Sequence, residues 1–273
     1  MCDHCVIEKV RERMLGRRDL FRGAASVTAA AAVATATAAV PARAAAHSGV
    51  VDLTHTYGPD FPTYFGEPGV SVEVPFTFAE HGFNLKVLRV NEHTGTHIDA
   101  PLHFSADGTS VDAIPVESLV CPLCVVNIHE KASEDADAMV TPDDLSAWIA
   151  ANGPIPDNAC VAMHSGWERH IGSDTYRNAD DNGVQHFPGF HPEAAKMLLE
   201  ETGAVGIASD TLSLDVGSST TFDTHYAWLP ANRWGLESVA NLASVPVTGA
   251  TLIVGASKHA GGTGGPARVM ALV

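Results

Sequence analysis

Hydrophobic and polar positions alternate, or gather in short runs, along most of the chain. Residues 50–55, 71–78 and 85–90 show alternating apolar side chains or β-branched runs, which are typical of strands. Further short apolar runs predict buried strands at residues 125–128, 159–163, 204–208, 251–256 and 267–273. Few regular βαβ units are evident, so the pattern favours a single α/β domain with a mixed, strand-rich central sheet over a Rossmann or TIM-barrel architecture.

Two segments carry helix signals, and we expect them to flank the sheet. Residues 141–152 begin with Thr141 as an N-cap and Pro142 in the first turn, followed by two aspartates at the positive helix end. Residues 191–203 have an early proline and Gly203 as the predicted stop. The polar, glycine-rich residues 165–190 between them predict a long functional loop.

The first 46 residues differ in composition from the rest of the chain. The stretch RRDLFR (17–22) precedes an alanine-rich run that ends in an A-x-A pattern near residues 44–46. This arrangement resembles a twin-arginine export signal, so we expect a mature domain at residues 47–273 and a periplasmic or otherwise exported protein carried by the twin-arginine translocase. The alternative is an uncleaved anchor, but the run is weakly hydrophobic, so no stable membrane insertion is expected.

Charge and cysteine usage narrow the partners and the compartment. The formal net charge is −16, which argues against nucleic acid because such partners require a basic surface. Cys121 and Cys124 lie at the start of a predicted buried strand. They are interpreted as small buried hydrophobic residues, with a redox pair in an oxidising compartment as the alternative.

The stretch HTGTHIDAPLH (93–103) concentrates three histidines and one aspartate. On an extended chain His93, His97 and Asp99 share one side, as does His103. A straight strand would separate the first two histidines by about 13 Å, so common ligands of one metal require a bend, which Gly95 permits. The alternative is an edge strand whose polar residues only face solvent.

The spacing within this stretch predicts a catalytic metal site. His93, His97 and Asp99 supply the imidazole and carboxylate donors that Zn²⁺ or Mn²⁺ prefers, with coordination positions left open. Pro101 redirects the chain, so His103 is expected near the metal without ligating it. A nearby histidine of this kind is suited to general acid/base catalysis.

Other candidates are weaker when judged from the residues alone. His225 and Glu237 are twelve residues apart, but a surface glutamate at a helix start is the usual case. Arg268 could meet a substrate carboxylate or only balance the acidic surface. Three aromatic residues are candidate pocket walls, with core packing as the alternative: Tyr64, Phe65 and Trp167.

Residues 50–273 resemble the cyclase family of metal-dependent hydrolases, which includes bacterial kynurenine formamidases and isatin hydrolases. The family signature H-x-G-[TA]-H-x-D-x-P-x-H is met in full by residues 93–103. Other similar stretches are VVDLTHTYGPDFP, HSGW, FPGFHPEAAKML, VGIASDTLSLD and GGPARV. The resemblance implies the cyclase-family fold, hydrolase activity and a homodimer with sites near the interface.

The resemblance also implies roles for single residues. It implies five metal ligands: His93, His97, Asp99, His225 and Glu237. Asp99 is the residue that could bridge two ions, and His103 is the proton donor and acceptor. Asp210 and Asp215 are expected to form turns or to support the ligands rather than bind metal.

The predicted function is hydrolysis of a C–N bond in an amide, formamide or cyclic imide by a metal-activated water, with one or two Zn or Mn ions per chain. Formamidases of the family carry a W-P-G loop, which is replaced here by residues 64–66, Tyr-Phe-Gly. This departure and the export signal disfavour N-formylkynurenine as the substrate. The alternatives are a lactone hydrolase, a non-catalytic exported metal-binding protein, and a binding module that has lost catalysis.

Overall fold

A computed structural model describes residues 49–273 of the chain. The predicted export signal at residues 1–46 lies outside the described residues. Within the described chain, residues 72–88 form one compact unit, and residues 49–71 and 89–273 form the other.

Residues 49–273 contain twelve strands and five α-helices. The strands are β1 (Val50–Asp52), β2 (Val70–Phe76), β3 (Leu85–Val90), β4 (His97–Asp99), β5 (Val120–Asn127), β6 (Met139–Val140), β7 (Cys160–His164), β8 (Gly189–Phe190), β9 (Gly206–Ser209), β10 (Trp234–Glu237), β11 (Ala250–Ala256) and β12 (Gly264–Leu272). The helices are α1 (Phe78–His81), α2 (His129–Glu134), α3 (Pro142–Asn152), α4 (Pro192–Glu201) and α5 (Asp223–Trp228).

The small unit is built around the pairing of β2 with β3, with the single turn of α1 between them. Phe76 stacks on Phe83 with ring centroids 5.0 Å apart, and Gly82 ends α1 in the left-handed region at φ +77°. The alternating apolar pattern of residues 71–78 and 85–90 therefore forms the predicted strands. Several of the apolar side chains are exposed: Val72, Val74, Phe78, Leu85, Val87 and Leu88.

The large unit is organised by an eight-stranded sheet with the order β1-β12-β11-β5-β7-β9-β10-β4. The pairs β5–β7, β7–β9 and β9–β10 are parallel, and the other pairs are antiparallel. Because β4 pairs with both β10 and β12, the sheet closes on itself. The predicted mixed, strand-rich α/β fold is confirmed.

Apolar side chains cover both faces of this sheet, as the alternation along β7 shows. Cys160 and Ala162 belong to the core cluster on one face, and Val161 and Met163 belong to the cluster on the other. The second cluster also contains buried side chains of α3, α4 and α5. Burial of both faces explains why this strand reads as a continuous hydrophobic run.

The two predicted helices form, with one difference at an end. In α3, the Thr141 side chain accepts from the backbone of Asp144, whose carboxylate accepts in return, which is a capping box. Helix α4 ends at Glu201, before the predicted stop at Gly203. The hydroxyl of Thr202 donates to the carbonyl of Leu198 at 2.6 Å, so this side chain satisfies the last turn.

Three cysteines lie in the described residues, and all are free and buried: Cys121, Cys124 and Cys160. Burial raises the pKa of the Cys121 thiol to about 12 and that of Cys124 to about 11. The interpretation as buried hydrophobic residues is therefore confirmed over a redox pair. Among residues 49–273, none of the helices has the length and apolarity needed to cross a bilayer.

Candidate metal centre

The signature stretch bends where the sequence predicts. Gly95 adopts φ +71°, and a Cβ at this position would lie 2.9 Å from Cβ of Tyr57, so both conformation and space require glycine. The bend brings the rings of His93 and His97 to a centroid distance of 5.2 Å. The short strand β4 follows, and Pro101 then starts one turn of 3-10 helix that ends at His103.

Cross-strand pairing brings Glu237 to the signature stretch. In the antiparallel pair of β4 and β10, Glu237 lies opposite His97. His97 Nε2 is 3.4 Å from Asp99 Oδ1 and 3.4 Å from Glu237 Oε2. Glu237 is only 6% exposed, so it is not the surface glutamate at a helix start that its local sequence suggests.

His225 completes this cluster from the first turns of α5. Its Nε2 lies 3.2 Å from Glu237 Oε1 and 3.5 Å from Asp99 Oδ2. Asp215 holds it there, because its carboxylate accepts from the backbone N–H of Thr224 and His225 and from His225 Nδ1. The predicted supporting role of Asp215 thus has a clear geometry, and such partners orient metal-binding histidines.

Asp210 forms a turn, which is the alternative to ligand support predicted from the sequence for this residue and Asp215. Its buried carboxylate accepts from the backbone N–H groups of Ser165, Gly166 and Trp167, and from the Ser165 hydroxyl. It thereby fixes the start of the long polar loop. Asp210 is not among the residues that cluster around Asp99.

His93 and His103 form a second group that shares Asp99 with the first. His93 Nδ1 is 2.7 Å from Asp99 Oδ1, and the His93 ring stacks on His103 with centroids 3.8 Å apart. The two groups of ligand-type atoms are therefore His97, Asp99 and Glu237, and His93, Asp99 and His103. A single buried carboxylate joins them.

The electrostatics of the cluster favour positive charge at its centre. Burial alone would raise the pKa of Asp99, but its close contacts with His225, His93 and His97 outweigh burial and hold the pKa well below its usual range. Burial would lower the pKa of His97, but the nearby carboxylates of Asp99 and Glu237 outweigh burial and raise it to about 10. A similar balance raises the pKa of His225.

The donor set fits a divalent cation. The Nδ1 of His97 faces the carbonyl of Gly95 at 2.8 Å, which can only accept, so Nε2 points a lone pair at two carboxylates. His97 Nε2 and Asp99 Oδ2 are buried without a hydrogen-bond partner. Acceptors that face acceptors need either extra protons or a cation between them, and imidazole with carboxylate suits Zn²⁺ and Mn²⁺ alike.

His103 differs from the other histidines of the centre. Burial lowers its pKa to about 4, with the nearby charges having smaller effects. Its imidazole is therefore neutral near pH 7 and able to accept a proton. This is the form that general base catalysis requires.

A cavity of about 320 Å³ opens onto the centre. Its apolar walls include two residues predicted from the sequence, Tyr64 and Phe65, the latter 81% exposed. Phe104 and Phe222 also line it and were not predicted, although Phe104 directly follows the signature. The backbone of Phe222 has a positive φ of +54°, which could not be read from the sequence.

Two further predicted contacts lie elsewhere. Trp167 is 4% exposed, packs with Tyr176 and Phe187, and donates from Nε1 to the Tyr176 carbonyl. It is a core residue and not a lining residue of this cavity. Arg268 pairs with Asp52 through Nε and Nη2 at 3.0 and 2.7 Å on the surface, so it does not serve as a carboxylate receptor here.

Comparisons with known proteins agree with this fold. Residues 51–216 match the family model described as "Putative cyclase". Isatin hydrolase of Roseibium aggregatum is 32% identical over 82% of this chain and 91% of its own length, and kynurenine formamidase of Salinibacter ruber is 26% identical over 81% and 96%. The solved structure of isatin hydrolase A from Labrenzia aggregata, bound to benzyl benzoate, superposes with a TM-score of 0.77 at 37% identity, covering 82% of this chain and 93% of that one.

The closed mixed sheet, the histidine–carboxylate centre and these relatives define the class of the protein, a metal-dependent hydrolase. Within that class, the chain belongs to the cyclase family.

Proposed function

We propose that the protein opens a cyclic amide or imide fused to an aromatic ring by hydrolysing its C–N bond. The observation that carries this proposal is the acceptor-rich centre at the base of an aromatic-lined cavity, next to a neutral His103. The rings of Tyr64, Phe104 and Phe222 pack against one another and line the cavity, and an aromatic lining of this kind suits a planar aromatic substrate. The similarity to isatin hydrolases over most of their length supports the same substrate class.

The chain's own residues supply positioning and proton transfer. His93, His97, Asp99, His225 and Glu237 would hold the metal. When bound, a divalent cation supplies Lewis acidity that polarises a carbonyl and acidifies water. His103 takes a proton from the attacking water at a ring nitrogen as the new C–O bond forms, and it delivers that proton to the leaving nitrogen as the C–N bond breaks. The product is an amine and a carboxylic acid, which loses its proton to solvent.

A second candidate is hydrolysis of an N-formyl aryl amine. His225 lies 3.5 Å from Asp99 and 3.2 Å from Glu237, and the resemblance implies that a histidine and a glutamate with the spacing of this pair complete the two-metal site of the formamidases. The match between this chain and the formamidase relative covers 96% of the relative's length. A lactone would use the same centre, because its carbonyl is attacked in the same way.

Activity of the purified full chain against matched substrates tests these readings. We would compare isatin, phthalimide, N-formylkynurenine and the lactone phthalide, each with added Mn²⁺ or Zn²⁺ and with excess chelator. Chelator-sensitive opening of isatin or phthalimide, faster than formamide cleavage, is expected. Faster cleavage of N-formylkynurenine would favour the second candidate. Metal binding without turnover of any substrate would favour a non-catalytic metal-binding protein.

We further propose one or two Zn or Mn ions per chain. Elemental mass spectrometry of a chain with Cys2→Ser and Cys5→Ser, which removes thiols ahead of the domain, would give the number. For a two-metal centre, we expect close to two ions per chain, and this number should fall in His225→Ala and in Glu237→Ala. Near one ion, unchanged in both variants, would assign the site to His93, His97 and Asp99.

Export and dimer formation are also proposals. The twin arginines support export, and Arg17→Lys with Arg18→Lys should keep the protein in the cytoplasmic fraction of a host with this translocase. The exposed apolar side chains of β2 and β3 support a homodimer. Analytical ultracentrifugation should give a dimer, and Val74→Glu with Leu88→Glu should shift it towards the monomer.

A further inference from the structure

Four polar side chains form a continuous chain from the metal centre to the surface. His93 Nε2 lies 3.1 Å from Thr263 Oγ1, and Thr263 Oγ1 lies 2.5 Å from Glu92 Oε2. The other carboxylate oxygen of Glu92 lies 2.5 Å from Nε2 of His259, whose side chain is 44% exposed. The backbone N–H of Thr263 also donates to Glu92, at 3.2 Å.

The chemistry of these groups fixes the direction of each hydrogen bond. An ionised carboxylate only accepts, so the Thr263 hydroxyl must donate its single proton to Glu92. The hydroxyl oxygen can then only accept from His93, which requires the proton of that imidazole to be on Nε2. In the neutral imidazole the Nδ1 of His93 then carries a lone pair, which faces Asp99 Oδ1 at 2.7 Å, so this is another point in the centre where an acceptor faces an acceptor and a cation would satisfy both.

We propose that Glu92 and Thr263 are positioning residues that fix the tautomer of His93, so that this histidine offers Nδ1 to the metal. His97 and His225 are fixed the opposite way, because Gly95 and Asp215 accept from their Nδ1 atoms and leave Nε2 for the metal. The inference rests on the proposed metal-dependent function. It gives Thr263, which lies in the GGTGG loop (261–265), the role of orienting a metal ligand.

The glycines on both sides of Thr263 leave room for this arrangement. A Cβ at Gly262 would lie 2.2 Å from His259 Nε2 and 2.7 Å from Glu92 Oε1. A Cβ at Gly264 would lie 2.7 Å from Cε1 of His93. The backbone of the loop therefore approaches the carboxylate and both rings more closely than any other residue type allows.

Metal affinity of Thr263 variants tests the inference without reference to turnover. Thr263→Val keeps the shape and removes the hydroxyl, and partners of this kind are worth about 10- to 100-fold in metal affinity. We expect the dissociation constant for Mn²⁺, followed by the free-ion signal in electron paramagnetic resonance, to rise by that factor in the full chain. Thr263→Ser should restore it, because serine keeps the donor and acceptor.

A matched control lies one residue after His93. Thr94 is buried, and its hydroxyl has no hydrogen-bond partner, so Thr94→Val makes the same chemical change beside the same histidine without cutting the chain. Its Mn²⁺ affinity should stay within about twofold of the unmodified protein. Circular dichroism of each metal-free variant verifies folding, and Glu92→Gln provides a second variant if Thr263→Val does not fold.

The imidazole nitrogen signals in ¹⁵N NMR of the Zn²⁺-loaded protein report the tautomer directly. One metal-bound Nδ1 and two metal-bound Nε2 atoms are expected, and the Nδ1 signal should change in Thr263→Val. Three Nε2 ligands, or a Thr263→Val affinity equal to that of the unmodified protein, would overturn the inference while leaving hydrolase activity intact. If Thr263→Val lowers the Mn²⁺ affinity but the protein hydrolyses none of the substrates, the proposed function alone would be rejected.

Discussion

His103 lies close enough to Asp99 to share a metal with it, yet its neutral imidazole suits proton transfer. We expect His103→Ala to keep its metal and to lower kcat by about 10²- to 10⁴-fold, the usual worth of a general acid/base. Metal content and turnover measured on the same preparation distinguish the roles. Loss of metal together with activity would identify His103 as a ligand. His186→Ala, which changes a half-buried histidine paired with Asp137, is the control.

Phe222 combines a wall position with a strained backbone, since a bulky residue at φ +54° is uncommon. Phe222→Ala and Phe222→Gly both remove the ring, so both should raise KM for an aromatic substrate by about tenfold, close to 1.4 kcal/mol of lost contact. Only glycine relieves the backbone strain, so the free energy of unfolding of the glycine variant should be about 1 kcal/mol higher than that of the alanine variant. Equal stability in urea unfolding would show that the position carries no strain.

At the scale of elements, the bend before β4 is the feature that builds the centre. Gly95→Ala should suffer both the left-handed strain and a clash with Tyr57, whereas Gly153→Ala, at φ +91° with open space around it, suffers strain alone. Both should lose about 1 kcal/mol of folding stability or more. Only Gly95→Ala should also weaken metal binding, measured by Mn²⁺ titration. Equal metal affinity in both variants would show that the bend at Gly95 is not needed to place the metal ligands.

Elements with strong local signals were predictable from the sequence. Strand β3 has a clean alternation, and α3 has a complete cap, so their predicted and observed bounds agree closely. The bend at Gly95 also follows from local reasoning, because ligand spacing and residue type both point to it. Helices α2 and α5 were not predicted, since each is only six residues long and has no run of periodic apolar positions.

Features that depend on distant partners were not predictable in this way. The local sequence of Glu237 suggests a helix start, but the residue lies in β10, whose neighbours β9 and β4 come from far along the chain. Trp167 lies within the polar residues 165–190, yet its indole is buried against residues 176 and 187. The resemblance to a family supplied the ligand pair that residue spacing alone left undecided.

For the whole molecule, the centre links segments that are far apart in sequence. Ligand candidates come from β4, α5 and β10, so a bound ion would tie these segments together in the folded state only. Stripping the metal should therefore lower Tm, and an ion at 100 times its dissociation constant contributes about 2.7 kcal/mol. Calorimetry with chelator, followed by restoring Mn²⁺ or Zn²⁺, measures the shift. An unchanged Tm would contradict metal binding to the native state.

The buried thiols give a second test of the whole fold. Burial raises the pKa of Cys121 and Cys124, and it also raises that of Cys160 well above the ordinary value. In a full chain with Cys2→Ser and Cys5→Ser, we expect almost no reaction with a disulfide reagent at pH 8 in the native state and three thiols after denaturation. Fewer than three thiols after denaturation would reveal a disulfide.

The closure of the sheet has a consequence for how the protein is made. Strand β4 has β12 as one of its two neighbours, and among residues 49–273 β12 follows every other strand along the chain. While the ribosome still holds residues 264–272, the signature histidines have already left it, but their strand lacks one of its two partners. The sheet around the centre is thus complete only after residues 264–272 have emerged, so a polypeptide that ends before residue 264 would lack a working site.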